Sequence, residues 1–251
     1  MAKTHKNFLL AGLSGLLLAL AYPGWNFDAG ILAWIGFIPL IFALQKTELG
    51  PGWIKRFFLT GFFAGLVYFL IVFRWFWSFY PLDTLGITNR VASVAIILPI
   101  YLLTTAVAAA FWGLFGLFFG YFKNRSDLVF RKWDWLIAPA IFVILEYLRV
   151  IAYGLVWFGP GTLFGAHWTI GNPAYMLVGN RTILELSSYL GIYGVAFLIL
   201  VIDFIILKAI LSNNQKNFKI VFTAGLLLLV TFTNQATTKN TETNGSQKNK
   251  L

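Results

Sequence analysis

From Val91 to Phe122 the chain carries no charged side chain, and this run limits what it can fold into more than any other feature. As a helix rising 1.5 Å per residue, the run is roughly 48 Å long, more than the ~30 Å hydrocarbon core of a bilayer. Such a helix must tilt, bend near Pro99 or project into the interface. The composition points to the same solvent. Of 251 residues, 59% are hydrophobic and 11% charged, whereas soluble domains carry about 25% charged residues. A water-soluble fold of this size has no means of covering so much apolar surface.

Further apolar runs cover Phe8–Tyr22, Gly30–Leu44, Phe57–Tyr80, Trp135–Tyr153, Leu184–Leu207 and Phe218–Thr233. A span needs roughly 20 apolar residues, so the pattern predicts an all-α polytopic membrane protein of about seven transmembrane helices. This transmembrane domain fills residues 1–233, and the Asn-, Thr-, Lys- and Gly-rich residues 234–251 read as a polar disordered tail. The seventh run is short enough to be interfacial instead. The first follows Lys3 and Lys6 and ends in Ala19-Leu20-Ala21, which resembles a cleavable signal peptide. Pro23-Gly24-Trp25-Asn26-Phe27 turns directly into the next apolar run, which favours retention. Residues 154–181 are rich in Gly, Pro, Trp and Tyr and contain no run long enough to cross, so they read as a structured loop at the outer interface. No internal repeat is visible.

The net charge of +10 invites a nucleic-acid reading, but the basic residues sit in small groups between apolar runs and form no stripe. Basic loops against an anionic cytoplasmic leaflet account for them. With the N-terminus cytoplasmic, Lys3, Lys6, Lys46, Lys55, Arg56, Lys123, Arg125, Arg131, Lys132, Lys208, Lys216 and Lys219 fall on one side. Only Arg90 and Arg181 fall on the other before the tail, which an odd number of spans places outside.

Covalent chemistry is limited by elimination. The chain has no cysteine, which removes disulfides, thiolate metal sites and a cysteine nucleophile together. Its two histidines, His5 and His167, are far apart, which disfavours a histidine metal site. There is no H-E-x-x-H, G-x-S-x-G, Walker loop or dinucleotide fingerprint, and Ser187 and Ser188 have no histidine nearby in sequence. No catalytic residue, metal site or cofactor is expected.

Charged groups inside spans cost at least a few kcal/mol and need a reason. Arg74 lies in the outer part of the third span. Glu146 and Arg149, three residues apart, share a face in the outer half of the fifth. Glu185 opens the sixth span on that side, and His167 belongs to the outer loop. Their shared depth fits a site for charged head groups at the outer leaflet, with Arg74, Trp75, Glu146, Arg149, Trp157 and His167 as candidate lipid or lipoprotein contacts. On the alternative reading Glu146 and Arg149 neutralise each other and lock helix packing while Arg74 snorkels. Asp203, near the cytoplasmic end of the sixth span and close to Lys208, reads as structural. Trp25, Trp75, Trp77, Trp133, Trp135, Trp157 and Trp168 fall mostly near interfaces, where belt anchoring is the default account.

The order of these residues resembles a family. The stretch Leu18-Ala19-Leu20-Ala21-Tyr22-Pro23-Gly24-Trp25-Asn26-Phe27, followed by Leu32-Ala33-Trp34-Ile35-Gly36-Phe37-Ile38-Pro39-Leu40, looks like the opening helical hairpin of bacterial apolipoprotein N-acyltransferases. Gly61 to Phe69, continuing to Trp75, resembles the third span. Glu146-Tyr147-Leu148-Arg149 matches the family's E-[YW]-L-R signature. Trp157 stands near its F-P-W position, with Leu155-Val156 replacing Phe-Pro, and Ser188 to Phe197 resembles the glycine-bearing sixth span. The resemblance covers essentially residues 8–233.

It implies a multi-pass protein of the bacterial inner membrane that handles phospholipid and a lipoprotein substrate. In the family a nitrilase-like outer domain holds a Glu-Lys-Cys triad, whose cysteine takes an acyl chain from phospholipid as a thioester and passes it to the lipoprotein's N-terminal amine. Residues 234–251 contain no cysteine and a single carboxylate side chain, Glu242. The resemblance therefore implies the substrate-handling half of such an enzyme, inactive alone. A rival of another class is a non-enzymatic lipid-binding or scaffold subunit that recruits a separate hydrolase chain. A small transporter is a third reading; it requires midplane charges on discontinuous helices, and here the charges are displaced outward.

Overall fold

The computed structural model describes residues 2–125, 128–154 and 168–212. Among these residues all regular structure is helical. Six α-helices follow one another as α1 (Ala2–Ala21), α2 (Ile38–Lys46), α3 (Trp53–Val72), α4 (Arg90–Asn124), α5 (Leu128–Tyr153) and α6 (Arg181–Leu211). Four helical segments are long and apolar enough to cross a membrane: Trp53–Phe79, Arg90–Asn124, Lys132–Tyr153 and Arg181–Leu211. Two shorter apolar stretches, His5–Ala21 and Gly30–Lys46, complete the bundle. The all-α polytopic fold expected from the sequence is the one observed. The expected seventh span, Phe218–Thr233, and the tail lie outside the described residues.

The second expected span is not one helix. Gly30–Trp34 forms a 3-10 turn, and α2 starts only at Ile38 and is 9 residues long. Proline in the first turn of α2 fits there because no backbone donor is needed at that position. No side chain within the segment caps its start, whereas Thr47 closes its end, its N–H and Oγ1 both donating to the Ala43 carbonyl. The Phe37 N–H donates to Asp203 Oδ2 on α6 at 2.8 Å, and Lys123 Nζ on α4 donates to the Gln45 and Thr47 carbonyls at 2.6 and 2.8 Å. A carboxylate thus stands at the positive end of α2 and an ammonium at its negative end, as the helix dipole favours. This satisfies backbone groups that lipid could not.

Helices α3 and α4 form the tightest seam. A Cβ at Gly61 would stand 2.1 Å from the Trp112 carbonyl oxygen, and one at Gly116 would stand 2.3 Å from the Phe57 carbonyl oxygen. Gly61 and Gly65 on α3, with Gly116 and Gly120 on α4, follow the small-xxx-small spacing that lets membrane helices touch through backbone. Gly15 brings α1 against α3 in the same way, since a Cβ there would stand 2.3 Å from the Ala64 carbonyl oxygen. α4 is helical throughout despite Pro99. α6 is broken at Gly191, whose φ of 65° and ψ of 176° are non-helical; a side chain there would meet the left-handed penalty that glycine escapes.

The helix termini sort by charge. Asn7 donates to Thr47 Oγ1, Lys123 binds the end of α2, and Lys208 pairs with Asp134. Lys6, Lys46, Arg56, Lys123 and Lys208 therefore share one end of the bundle. Lys208 is engaged with Asp134 on α5, while Asp203 turns to the start of α2.

Candidate functional site

The core that leads to the opposite end of the bundle is organised around a tryptophan in the interior of α4, Trp112. Trp112 is buried and stacks on Tyr68 at 5.0 Å between ring centroids, with Phe37, Phe69 and Phe142 packed around it. Its indole N–H needs an acceptor at this depth and donates to Glu146 Oε1 at 3.2 Å. Glu146 also receives Arg149: Nε lies 3.2 and 3.3 Å from its two oxygens, and Nη2 lies 2.9 Å from Oε2. The pair is fully enclosed, Arg149 being 0% and Glu146 1% exposed. Arg149 uses its remaining edge on the Ile170 carbonyl, which accepts from Nη1 at 3.1 Å.

The segment beginning at Trp168 is held at this point from several sides. Tyr68 Oη donates to the Gly171 carbonyl at 3.1 Å, and the Gly171 N–H donates to Tyr22 Oη at 3.1 Å. Gly171 has φ 82° and packs on Phe69. Tyr153 donates to the Thr104 carbonyl, and its ring meets Trp168 edge-on at 5.8 Å. Trp168 in turn meets Trp75 edge-on at 6.1 Å. Arg149, Tyr153, Trp168 and Trp75 thus form one connected line from the buried pair towards the rim of the bundle at this end.

Of the residues singled out from sequence, the structure joins Glu146 to Arg149 directly and Trp75 to them through Trp168 and Tyr153. Arg74 turns to different partners. It is exposed, its Nη2 donates to the Gly24 carbonyl at 2.6 Å, and its guanidinium lies 3.7 Å from the centroid of the Trp25 ring. It therefore clamps the Pro23–Phe27 turn beside a cleft of about 330 Å³ lined by that turn, Asp28, Met176 and Gly179. A second, apolar crevice of about 220 Å³ lies between residues 174–178 and the N-terminal half of α6, with Ile183, Leu184, Ile192 and Val195 in its wall. Glu185 is exposed and pairs with Arg181. Trp157 and His167 lie outside the described residues. Trp112, Tyr68 and Tyr22 did not stand out in the sequence. The available signal was a tryptophan far from both interfaces of an uncharged span, which must find an acceptor among its neighbours.

Among the described residues no three His, Cys, Asp or Glu side chains gather to hold a metal ion. The geometry offers a sealed polar lock, a cation clamped on an aromatic turn and two clefts at the rim of a helical bundle. That defines a polytopic membrane domain with two clefts at this end.

Comparison with known proteins makes the assignment specific. The sequence profile of the apolipoprotein N-acyltransferase N-terminal domain matches residues 14–205, and the chain belongs to that family. It is 31% identical over 193 residues to an apolipoprotein N-acyltransferase of Thermotoga maritima, covering 77% of this chain and 33% of that protein. A namesake from Geobacter metallireducens is 25% identical over 208 residues, covering 82% and 34%. One from Chlorobaculum tepidum is 26% identical over 228 residues, covering 90% and 36%. The chain thus spans about a third of the length of these relatives. No solved structure gives a significant match.

Proposed function

We propose that this chain is the membrane part of an apolipoprotein N-acyltransferase, receiving phospholipid as acyl donor and a lipoprotein as acceptor at the outer leaflet of the bacterial inner membrane. The observation that carries this reading is the family match over residues 14–205. The gathering of clefts, Arg74 and Trp75 at one end of the bundle supports it. Arg74 and Trp75, with Trp157 and His167, are the candidate contacts for head group and lipoprotein. Glu146 and Arg149 serve that rim from behind, holding residues 168–171 through Ile170.

In this reading the lysine-rich end faces the cytoplasm, as basic short loops do, and the N-terminus lies there with it. These 251 residues contain no cysteine, so a thioester intermediate must form on a residue outside them and the chain alone is inactive. The test is the purified protein with phospholipid and a diacylated lipopeptide. The expected result is no acyl transfer until a hydrolase chain with its own nucleophile is added; transfer without any addition overturns the claim of inactivity. The absence of cysteine equally favours a scaffold that recruits a separate hydrolase, and a stable hydrolase co-purifying from the native cell would select that reading.

A further inference from the structure

The end of the bundle opposite the candidate site holds a cavity of about 350 Å³ between α1 and α2, lined by Lys6, Asn7, Leu10, Phe42, Lys46 and Glu48. A smaller space of about 60 Å³ continues from it past Thr47 to Arg56. The basic groups here divide into two kinds. Lys123 is committed to the carbonyls that end α2, and Arg56 to the carbonyls of Glu48, Gly50 and Pro51. Lys6 and Lys46 are exposed, and among the described residues neither ammonium has an ion pair or a hydrogen-bond acceptor; Lys46 only leans on the Phe42 ring at 5.4 Å. Two uncommitted ammoniums therefore stand at the mouth of a cavity with one carboxylate, Glu48, and one amide, Asn7, which already donates to Thr47.

The wall below the charges is apolar. Leu10 and Phe42 line the cavity, and Leu9, Leu13 and Leu16 on the outward side of α1 are 74%, 45% and 42% exposed. A ligand matched to this arrangement has an anionic head at the level of the lysines and hydrocarbon running along α1. A soluble anion would satisfy the ammoniums and leave the apolar wall unused.

We infer that Lys6 and Lys46 form a binding site for the phosphodiester head group of an anionic glycerophospholipid of the leaflet at the basic end of the bundle. The inference rests on the membrane reading of the fold and is independent of the acyl-transfer reading, since it concerns the opposite leaflet. A bound lipid here would fill the gap between α1 and the short α2 at the depth where that half-length helix stops.

The test is native mass spectrometry of the delipidated protein titrated with phosphatidylglycerol or phosphatidylcholine of identical acyl chains. Preference for phosphatidylglycerol is expected, falling about fivefold in each of Lys6→Gln and Lys46→Gln, as for a basic residue at an anionic surface. Lys132→Gln, an exposed lysine near the start of α5 that does not line the cavity, should leave the preference unchanged. Leu10→Trp, which narrows the cavity without touching a charge, should weaken retention of phosphatidylglycerol. Both lysines are exposed, so their variants should keep the wild-type thermal midpoint in phosphatidylcholine micelles. Unchanged preference in the Lys6→Gln/Lys46→Gln double variant overturns the inference, as does an equal loss in Lys132→Gln. Displacement of phosphatidylglycerol by low-millimolar inorganic phosphate also overturns it, leaving a simple anion site.

Discussion

Among the described residues two carboxylates are sealed in this bundle, Glu146 and Asp203, and they are stabilised in opposite ways. Glu146 is met by a full charge, the Arg149 guanidinium, and by the Trp112 indole N–H. Asp203 is met by a backbone amide at the start of a helix, and among the described residues its second oxygen, Oδ1, has no hydrogen-bond partner. The first ties α4 and α5 to the Trp168 segment through the Trp112–Glu146 and Arg149–Ile170 hydrogen bonds, with the Glu146–Arg149 charge pair at its centre. The second needs only an acceptor atom aimed at the Phe37 N–H. The chain therefore uses ionic pairing where the rim of the candidate site must be held, and a neutral-tolerant cap where a broken helix must be started.

Substitutions should separate these two devices. The largest effect is expected from Arg149→Ala, which strands a buried carboxylate and releases Ile170. Loss of one partner of a sealed pair costs about 3–5 kcal/mol, read as reversible unfolding in mixed micelles. Glu146→Gln keeps the shape but leaves the guanidinium unpaired, so a cost of about 2–4 kcal/mol is expected in the same assay. Trp112→Phe keeps most of the ring stacking and removes one donor from Glu146, which should cost about 1–2 kcal/mol. Asp203→Asn retains an oxygen for the Phe37 N–H and should move stability by no more than about 0.5 kcal/mol. An Asp203→Asn cost as large as that of Glu146→Gln would break the comparison and mean that the α2 cap depends on charge. A negligible cost for Glu146→Gln would equally remove the distinction.

Much of this was legible in the sequence because lipid imposes simple rules. The uncharged run from Val91 to Phe122 became α4, extended by about a residue or two at each end, and Tyr153 closed α5 as expected. Pairing of Glu146 with Arg149 followed from their helical spacing. The break in the second run was hidden because hydropathy sums apolarity and does not register where backbone donors find acceptors. The acceptor that starts α2 comes from Asp203, which is 166 positions away from Phe37. The sequence placed Arg74 and the Glu146–Arg149 pair at one depth, and the structure gives them separate partners. Depth follows from position along a span, whereas azimuth around the bundle depends on packing.

The glycine seam between α3 and α4 has a mechanical corollary. Where backbones rest on each other, there are few flexible side chains to rearrange as the helices slide, so relative movement meets a hard steric wall. That makes the pair a keel. The helical break lies instead in α6, whose N-terminal portion ahead of Gly191 borders the apolar crevice.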